Sequence, residues 1–326
     1  MNINSFIRSI EEHHLNCEGI TVLQHGKKTA EHRWIPEIPV NCYSVSKSFV
    51  SIAIGMAIDR GKLSLKDRVT GVFPEFASNP RLDVLNLEHL LIMARGHDAF
   101  SRPASAAEAL AQPLAYMPGT RFEYDNGSTF LASAMFTRIM GMTVRDFLLD
   151  ALFRPLGIPD PEWPESPDGH TLGATGLVLS TSSLACFGQF LLQRGEWLGK
   201  QLVSPAWIDS ATRPHISTQS PHPDNDLGYG YGFWPCRHGV YRADGKDGQF
   251  VIVFPRHGAV IAINSAEPSH FPVLYTVWDE ILPLFAETGL IPRGLPRSEK
   301  ATYENHGIKP DVLKNFLAER TSVQIK

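Results

Sequence analysis

The chain has 326 residues, of which 43% are hydrophobic and 20% charged, and its formal net charge is −4. These values are typical of a soluble globular enzyme that buries a sizeable core in one large domain or two joined domains. Lys and Arg residues form no cluster or stripe, which argues against nucleic acid as a partner.

The N-terminal part predicts a helix followed by two paired strands. Apolar residues recur at helical spacing over 3–14. Residues 19–24 and 29–34 have strand character, and a turn at 25–27 separates them.

A second helix is predicted over 46–60, with Gly61 as the residue that ends it. The middle of the chain is dominated by further helical patterns between Pro- and Gly-containing loops. Helices are predicted over 87–94, 104–111, 128–140, 144–149, 183–194 and 205–212.

The C-terminal part changes to short aromatic and β-branched segments, which predict an antiparallel meander. Strands are predicted over 229–234, 239–243, 250–254 and 259–264, followed by a helix over 273–285. The polar residues after Pro292 predict a loosely attached tail with one short helix near 312–317.

Strands at both ends and helices between them predict an α+β fold, an antiparallel sheet flanked by helices. We expect a discontinuous sheet domain (1–65 and 175–290), an inserted, mostly helical domain (66–174) and a C-terminal tail (291–326). The functional site is expected where the sheet and the helical insertion meet.

The cellular setting is predicted from what the sequence lacks. The N-terminus has no apolar signal region, and no apolar run approaches the ~20 residues that span a bilayer. We therefore expect a cytoplasmic protein without a membrane partner, whose cysteines are free thiols. These are Cys17, Cys42, Cys186 and Cys236.

Ser44 and Lys47 form the Ser-x-x-Lys motif, which occurs once in the chain, at the start of the predicted 46–60 helix. Residues three apart share a helix face, so Lys47 can reach the Ser44 hydroxyl. A lysine that burial and the helix N-terminus keep neutral can accept the serine proton. In isolation, Ser44 can equally be a helix N-cap.

Tyr124 and Asn126 belong to a Tyr-Asp-Asn-Gly segment just before another predicted helix. Tyr124 is a candidate general base or proton relay, and Asn126 a candidate hydrogen-bond donor to a substrate carbonyl and partner of Lys47. The same segment is also ordinary turn chemistry.

Lys246, Asp247 and Gly248 form the third candidate segment, at the entry to a predicted strand. Lys246 would place an ammonium at the edge of the site, and Gly248 would let a substrate backbone approach. The N–H of Gln249 is expected to form an oxyanion hole with the N–H of Ser44. A Gly-rich hairpin without chemistry is the alternative.

The order of these three motifs resembles the serine β-lactamase and penicillin-binding-protein superfamily, and within it the class C β-lactamase-related branch. The resemblance covers about residues 15–285 and implies a serine hydrolase without a cofactor. It implies Ser44 as nucleophile, Lys47 and Tyr124 as shared base, and Asn126 as an orienting residue. Lys246 would guide the leaving group or a substrate carboxylate.

One departure concerns the substrate. True β-lactamases of this superfamily have Lys-Thr-Gly in the third motif, whereas this chain has Asp247 in the middle. A carboxylate there would repel an anionic antibiotic, so a small ester or amide is the expected substrate. The alternative is a catalytically inactive binding or regulatory protein with the same fold.

No other catalytic motif is present, and none of the 13 histidines has convincing metal-ligand spacing. No metal site is therefore predicted.

Overall fold

The computed structural model describes residues 1–286. The predicted tail over 291–326, with its short helix near 312–317, lies outside the described residues, as do the last four residues of the predicted sheet domain.

Ten strands are described, and six of them form the main sheet in the order β2-β1-β10-β9-β8-β7. Every neighbouring pair in this sheet is antiparallel. The pairs β3–β4 and β5–β6 form two small separate ladders. The strands are β1 (Cys17–Gln24), β2 (Lys27–Arg33), β3 (Val40–Asn41), β4 (Val178–Leu179), β5 (Glu196–Trp197), β6 (Lys200–Gln201), β7 (Trp234–Cys236), β8 (Val240–Gly245), β9 (Gln249–Phe254) and β10 (Ala259–Ser265).

Eleven α-helices are described, and most lie between β2 and β7 in the chain. They are α1 (Asn4–Glu12), α2 (Ser46–Asp59), α3 (Val69–Val72), α4 (Leu87–Leu91), α5 (Ala106–Ala111), α6 (Asn126–Met140), α7 (Val144–Leu148), α8 (Thr181–Leu192), α9 (Pro205–Thr212), α10 (His270–Thr276) and α11 (Leu282–Ala286). None of the helices within 1–286 combines the length and the apolar character needed to cross a membrane.

The main sheet is buried on both faces, because helices cover each of them. Alternate residues of β9 point to opposite sides, as the two-residue period of a strand requires. Val251 and Val253 join the core that includes α2 and α8, whereas Phe250, Ile252 and Phe254 join the core formed with α1, α10 and α11. Both faces of β9 therefore pack against apolar side chains.

Helix α2 lies in the centre of the molecule, and its residues 46–57 are all buried. Its C-terminus closes in a Schellman motif, in which Lys62 N donates to Ala57 O (2.9 Å) and Gly61 N to Ile58 O (2.8 Å). Gly61 has φ +66°, a left-handed conformation that glycine adopts without strain, so it ends the helix as predicted.

The structure confirms the α+β fold with an antiparallel sheet drawn from both ends of the chain. The predicted strand over 229–234 is wrong for most of its length, because only Trp234 lies in β7. Gly228 and Gly232 have φ of +93° and +78°, left-handed conformations that break an extended strand. The boundaries proposed for the two domains remain a prediction.

The close approach of α8 to the sheet depends on Gly188. A Cβ there would lie 2.3 Å from Val260 Cγ1, which is too short for any contact between carbon atoms. We expect Gly188→Ala to lower the free energy of unfolding by about 1–3 kcal/mol, as measured by urea denaturation. Gly71→Ala is the matched control, because Gly71 is also helical and a Cβ there meets open space. Equal or greater stability of Gly188→Ala would contradict this packing.

Candidate active site

Ser44 lies in a short 3-10 turn (Tyr43–Val45) that leads directly into α2. The residue before it, Tyr43, has φ +45°, a strained conformation for an aromatic side chain. The Asn41 side chain supports this bend, since its Oδ1 accepts from Tyr43 N at 2.8 Å. The strained turn therefore fixes the direction in which Ser44 leaves the backbone.

Strand β8 packs against the same turn. A Cβ on Gly245 would lie 2.3 Å from the carbonyl oxygen of Cys42, so the strand reaches this position only with glycine. The segment that follows β8 is thereby placed beside Ser44, although it lies about 200 residues further along the chain.

The Lys47 amine has three hydrogen-bond partners in the interior. Its Nζ lies 2.9 Å from Ser44 Oγ, 2.7 Å from Asn126 Oδ1 and 2.8 Å from the carbonyl oxygen of Ala174. The last two atoms can only accept, so they use two N–H groups of the amine. In a neutral amine, the remaining lone pair faces the Ser44 hydroxyl, which is the arrangement of a nucleophile and its base.

Burial makes the neutral amine accessible at physiological pH. The Lys47 side chain is 2% exposed, and its desolvation lowers its pKa to about 7. The negative charge of Asp125 opposes this shift and the positive charge of Arg102 assists it. The predicted contact between Ser44 and Lys47 is therefore present, in the electrostatic setting that proton transfer needs.

The Tyr124 hydroxyl forms a hydrogen bond with the Ser44 hydroxyl. Lys47 Nζ is 4.9 Å from the centre of the Tyr124 ring. Desolvation raises the pKa of Tyr124 well above its usual value, and the bond to Ser44 only partly offsets this effect. Tyr124 thus keeps its proton at neutral pH, which favours its role as a proton relay over its role as a general base.

Asn126 is the first residue of α6, and Asp125 is the N-cap of that helix. The Asp125 carboxylate accepts from Gly127 N (3.1 Å) and Ser128 N (3.0 Å), which holds the helix start in place. The structure therefore places Asn126 against Lys47, as predicted, through a cap that the sequence analysis did not identify. The signal was present in the sequence, where Asp125 is followed by Asn, Gly and Ser just before an apolar run.

Lys246 lies at the rim of the site and not inside it. Its side chain is 66% exposed, and its Nζ lies 5.6 Å from the centre of the Tyr43 ring. Asp247 is its ionic partner at 3.6 Å. The structure thus brings Lys246 to the turn that carries Ser44, where the neighbouring carboxylate offsets its charge.

Gly248 directly precedes β9, and Gln249 is its first residue, beside this rim. Gly248 has φ +86°, and a Cβ there would lie 2.9 Å from Ser265 Oγ, so the protein's own packing requires glycine at this position. The Gln249 side chain is buried, with Oε1 accepting from Asn264 Nδ2 at 2.8 Å and Nε2 donating to Ser265 O. Its side chain therefore stabilises the sheet, and only its main-chain N–H remains a candidate for oxyanion binding.

An aromatic cluster surrounds the Tyr124 ring. Trp234 is stacked on it with ring centres 5.8 Å apart, and Tyr229 meets it edge-on at 6.0 Å. Phe122 contacts all three of these rings. The segment 229–234, most of which is not the strand that was predicted, therefore supplies one wall of the site.

No group of three or more His, Cys, Asp or Glu side chains within residues 1–286 is arranged to hold a metal ion. The side chains that converge are a serine, a lysine, a tyrosine and an asparagine. Their chemistry is that of nucleophilic attack on a carbonyl group.

Comparison with known proteins agrees with this geometry. The chain is 24% identical over 271 residues to an uncharacterized protein of Alkalihalophilus pseudofirmus, an alignment that covers 72% of this chain and 76% of the relative. Its fold is similar to that of a proposed 6-aminohexanoate-dimer hydrolase from Bacillus anthracis (TM-score 0.74, 16% identity, 88% of this chain and 83% of the other). It is also similar to the octameric penicillin-binding protein homologue from Pyrococcus abyssi (TM-score 0.70, 19% identity, 91% and 80%).

The family model described as Beta-lactamase matches residues 9–277, which is most of the chain. With the sheet, the central helix and the Ser44–Lys47 pair in place, the match is supported by structure as well as by sequence. The chain belongs to the Beta-lactamase family and has the fold of its serine hydrolases and penicillin-binding-protein relatives.

Proposed function

We propose that the protein is a serine hydrolase that cleaves a small ester or amide through an acyl-enzyme on Ser44. The observation that carries this proposal is the set of contacts around Lys47. Two acceptors take two of its N–H groups, and its third partner is the Ser44 hydroxyl at 2.9 Å. This geometry suits the transfer of a proton from Ser44 to a neutral Lys47.

In the acylation step, Ser44 Oγ attacks the substrate carbonyl while its proton moves to Lys47 Nζ. The carbonyl oxygen becomes an oxyanion, for which the main-chain N–H groups of Ser44 and Gln249 are our candidate donors. Such donors typically contribute about 10²–10³-fold to the rate.

The leaving group needs a proton when the tetrahedral intermediate collapses. Tyr124 is protonated and bonded to Ser44, so it can pass the proton held by Lys47 to the departing alkoxide or amine. A water molecule then attacks the acyl-enzyme with the same groups acting in reverse order. Asn126 acts by orienting the Lys47 amine.

The rim of the site supports a neutral substrate over an anionic β-lactam. Lys246 is already paired with Asp247, so its charge is partly offset before any ligand arrives. The half-buried rings of Tyr124 and Trp234 offer an apolar wall for an acyl or leaving group. One structural relative carries the name of a hydrolase that acts on an amino-acid dimer, which agrees with this class.

We also propose the cytoplasm as the setting, with a small molecule as partner and neither nucleic acid nor membrane involved. All four cysteines are unpaired, and three of them are buried. This state is typical of proteins that work in a reducing compartment.

Brief exposure to a p-nitrophenyl ester tests the nucleophile directly. Intact-protein mass spectrometry should detect a single acyl adduct on the wild type, or rapid release of p-nitrophenol if deacylation is fast. Ser44→Ala should lose both, with turnover at least 1000-fold lower, because the variant lacks the attacking hydroxyl. Ser46→Ala is the matched control, since Ser46 lies two residues further on, at the start of α2, and its hydroxyl accepts from Leu177 N at 3.2 Å. No adduct and no turnover in the wild type would favour the inactive binding protein.

The pH dependence of kcat/KM should report the protonation of Lys47. With a pKa of about 7, Lys47 is neutral and active above pH 7, and below it the rate should fall about tenfold per pH unit. Initial rates with a neutral ester between pH 5 and 8.5, corrected for spontaneous hydrolysis, measure this limb. Lys47→Arg should abolish turnover because its guanidinium keeps its proton. A rate independent of pH from 5 to 8 would contradict Lys47 as the base.

The charge of Asp247 should disfavour anionic β-lactams. We expect kcat/KM for benzylpenicillin to lie at least 100-fold below that for a neutral ester in the wild-type protein. Asp247→Asn keeps a residue that tolerates the left-handed backbone at φ +63°, and it removes the charge. This variant should raise penicillin acylation about 3- to 10-fold and leave the neutral ester unaffected. Efficient penicillin turnover by the wild type would overturn the assignment.

A further inference from the structure

The Asp125 carboxylate is a buried charge beside the catalytic base. Its Oδ1 accepts from Ser101 N (2.9 Å), Ser101 Oγ (2.6 Å) and Gly127 N (3.1 Å). Its Oδ2 accepts from Arg95 Nη2 (2.7 Å), Ser128 N (3.0 Å) and Ser128 Oγ (3.3 Å). The side chain is 1% exposed, and six donors converge on an acceptor-only group.

This carboxylate acts on Lys47 through space and through the chain. Asn126, the next residue, holds the Lys47 amine at 2.7 Å. A negative charge on Asp125 favours the ammonium form of Lys47, and Asp125 accordingly raises the pKa of Lys47 against the larger effect of burial. An unbalanced Asp125 would raise the pKa of Lys47 further and reduce the fraction of neutral amine at a given pH.

Most of the other groups that face Lys47 are uncharged and do not offset the negative charge of Asp125. Ser44 and Tyr124 present hydroxyl groups, and Ala174 a carbonyl oxygen. Arg102 is positive and lowers the pKa of Lys47, but it is exposed, where solvent screens its charge. The cation in direct contact with Asp125 is Arg95.

Arg95 is buried, and the hydrogen-bond partners of its guanidinium do not include Ser44, Lys47 or Tyr124. Its side chain is 2% exposed, and Nη1 donates to the carbonyl oxygen of Ala109 at 2.8 Å. Nη2 donates to Gln112 Oε1 at 2.9 Å as well as to Asp125. Burying an arginine that is paired with one carboxylate has a large desolvation penalty. An apolar residue would fill the same space in the core equally well.

We propose that Arg95 is a positioning residue of the active site, whose guanidinium neutralises the Asp125 carboxylate and thereby leaves Lys47 free to act as the base. The proposal rests on the proposed hydrolase function for its role in turnover. The electrostatic coupling itself belongs to the folded protein and can be measured without turnover. A nearby unit charge that is partly screened changes the pKa of an ionisable group by on the order of one unit.

The coupling is tested by the NMR titration of Lys47 in protein labelled with ¹³Cε-lysine, with the Lys47 signal identified by its loss in Lys47→Arg. Arg95→Met should raise the Lys47 midpoint by about one pH unit, because Asp125 loses its counter-charge. Asp125→Asn keeps the helix cap and should lower the midpoint by a similar amount. Arg95→Lys, which retains the charge, should titrate close to the wild type.

Arg237→Met is the matched control, because it breaks another ion pair to a buried carboxylate, that of Asp224, away from Lys47. It should lower thermal stability and leave the Lys47 midpoint unchanged. The proposal would be overturned if the Lys47 midpoint moves in the same direction in Arg95→Met and Asp125→Asn. It would also be overturned if the midpoint moves in neither variant. If Arg95→Met does not fold, Arg95→Gln removes the same charge with a polar side chain. An unchanged Lys47 midpoint in Arg95→Gln would then overturn the proposal.

The same variants separate this proposal from the proposed function. If the wild type cleaves an ester, the acid limb of kcat/KM should move with the NMR midpoint in each variant, while KM at the pH optimum stays within about twofold. A merely structural Arg95 would lower the amount of active protein without moving the limb. If no ester or amide is cleaved, the hydrolase function fails, and the NMR midpoints still decide whether Arg95 controls Lys47.

Discussion

The buried amine of Lys47 is the feature on which the rest of the site depends. An amine loses solvation when it enters the interior, and three oxygen partners from separate parts of the chain must replace water around it. Those partners lie on the turn before α2, at the start of α6 and in the loop near Ala174. Any change that separates these three elements would leave Lys47 unsatisfied, so fold and chemistry are stabilised by the same contacts.

The sheet and α2 together explain why the site forms at this place. Strand β8 approaches the backbone of Cys42 through Gly245, and α2 is buried along nearly its whole length. The residues that carry chemistry stand at the N-terminal end of this helix, where the main chain bends at Tyr43. A rigid sheet and a rigid helix thus hold the nucleophile, and the partly exposed rim is left to select the substrate.

The electrostatics of the site extend beyond the groups that touch a substrate. Burial lowers the pKa of Lys47 and raises that of Tyr124, so the lysine can be neutral while the tyrosine stays protonated. Two groups whose pKa values are shifted in opposite directions are suited to accept and to donate a proton in one reaction. We propose that the Arg95–Asp125 pair belongs to this scheme, because the guanidinium offsets a carboxylate charge that favours the ammonium form of Lys47.

The sequence by itself determined the fold class, most helices and strands, and the order of the Ser44, Tyr124 and Lys246 motifs, because these follow from local periodicity and short spacing. It did not predict the Arg95–Asp125 pair or the Ala174 contact, since their partners are 30 and 127 residues apart and no local pattern records the distance. The strand expected at 229–234 failed for the same reason: its residues have strand character, but left-handed glycines and tertiary contacts decide their conformation. Only the tertiary structure decided which side chains are buried together, and burial is what adjusts the chemistry of Lys47 and Tyr124.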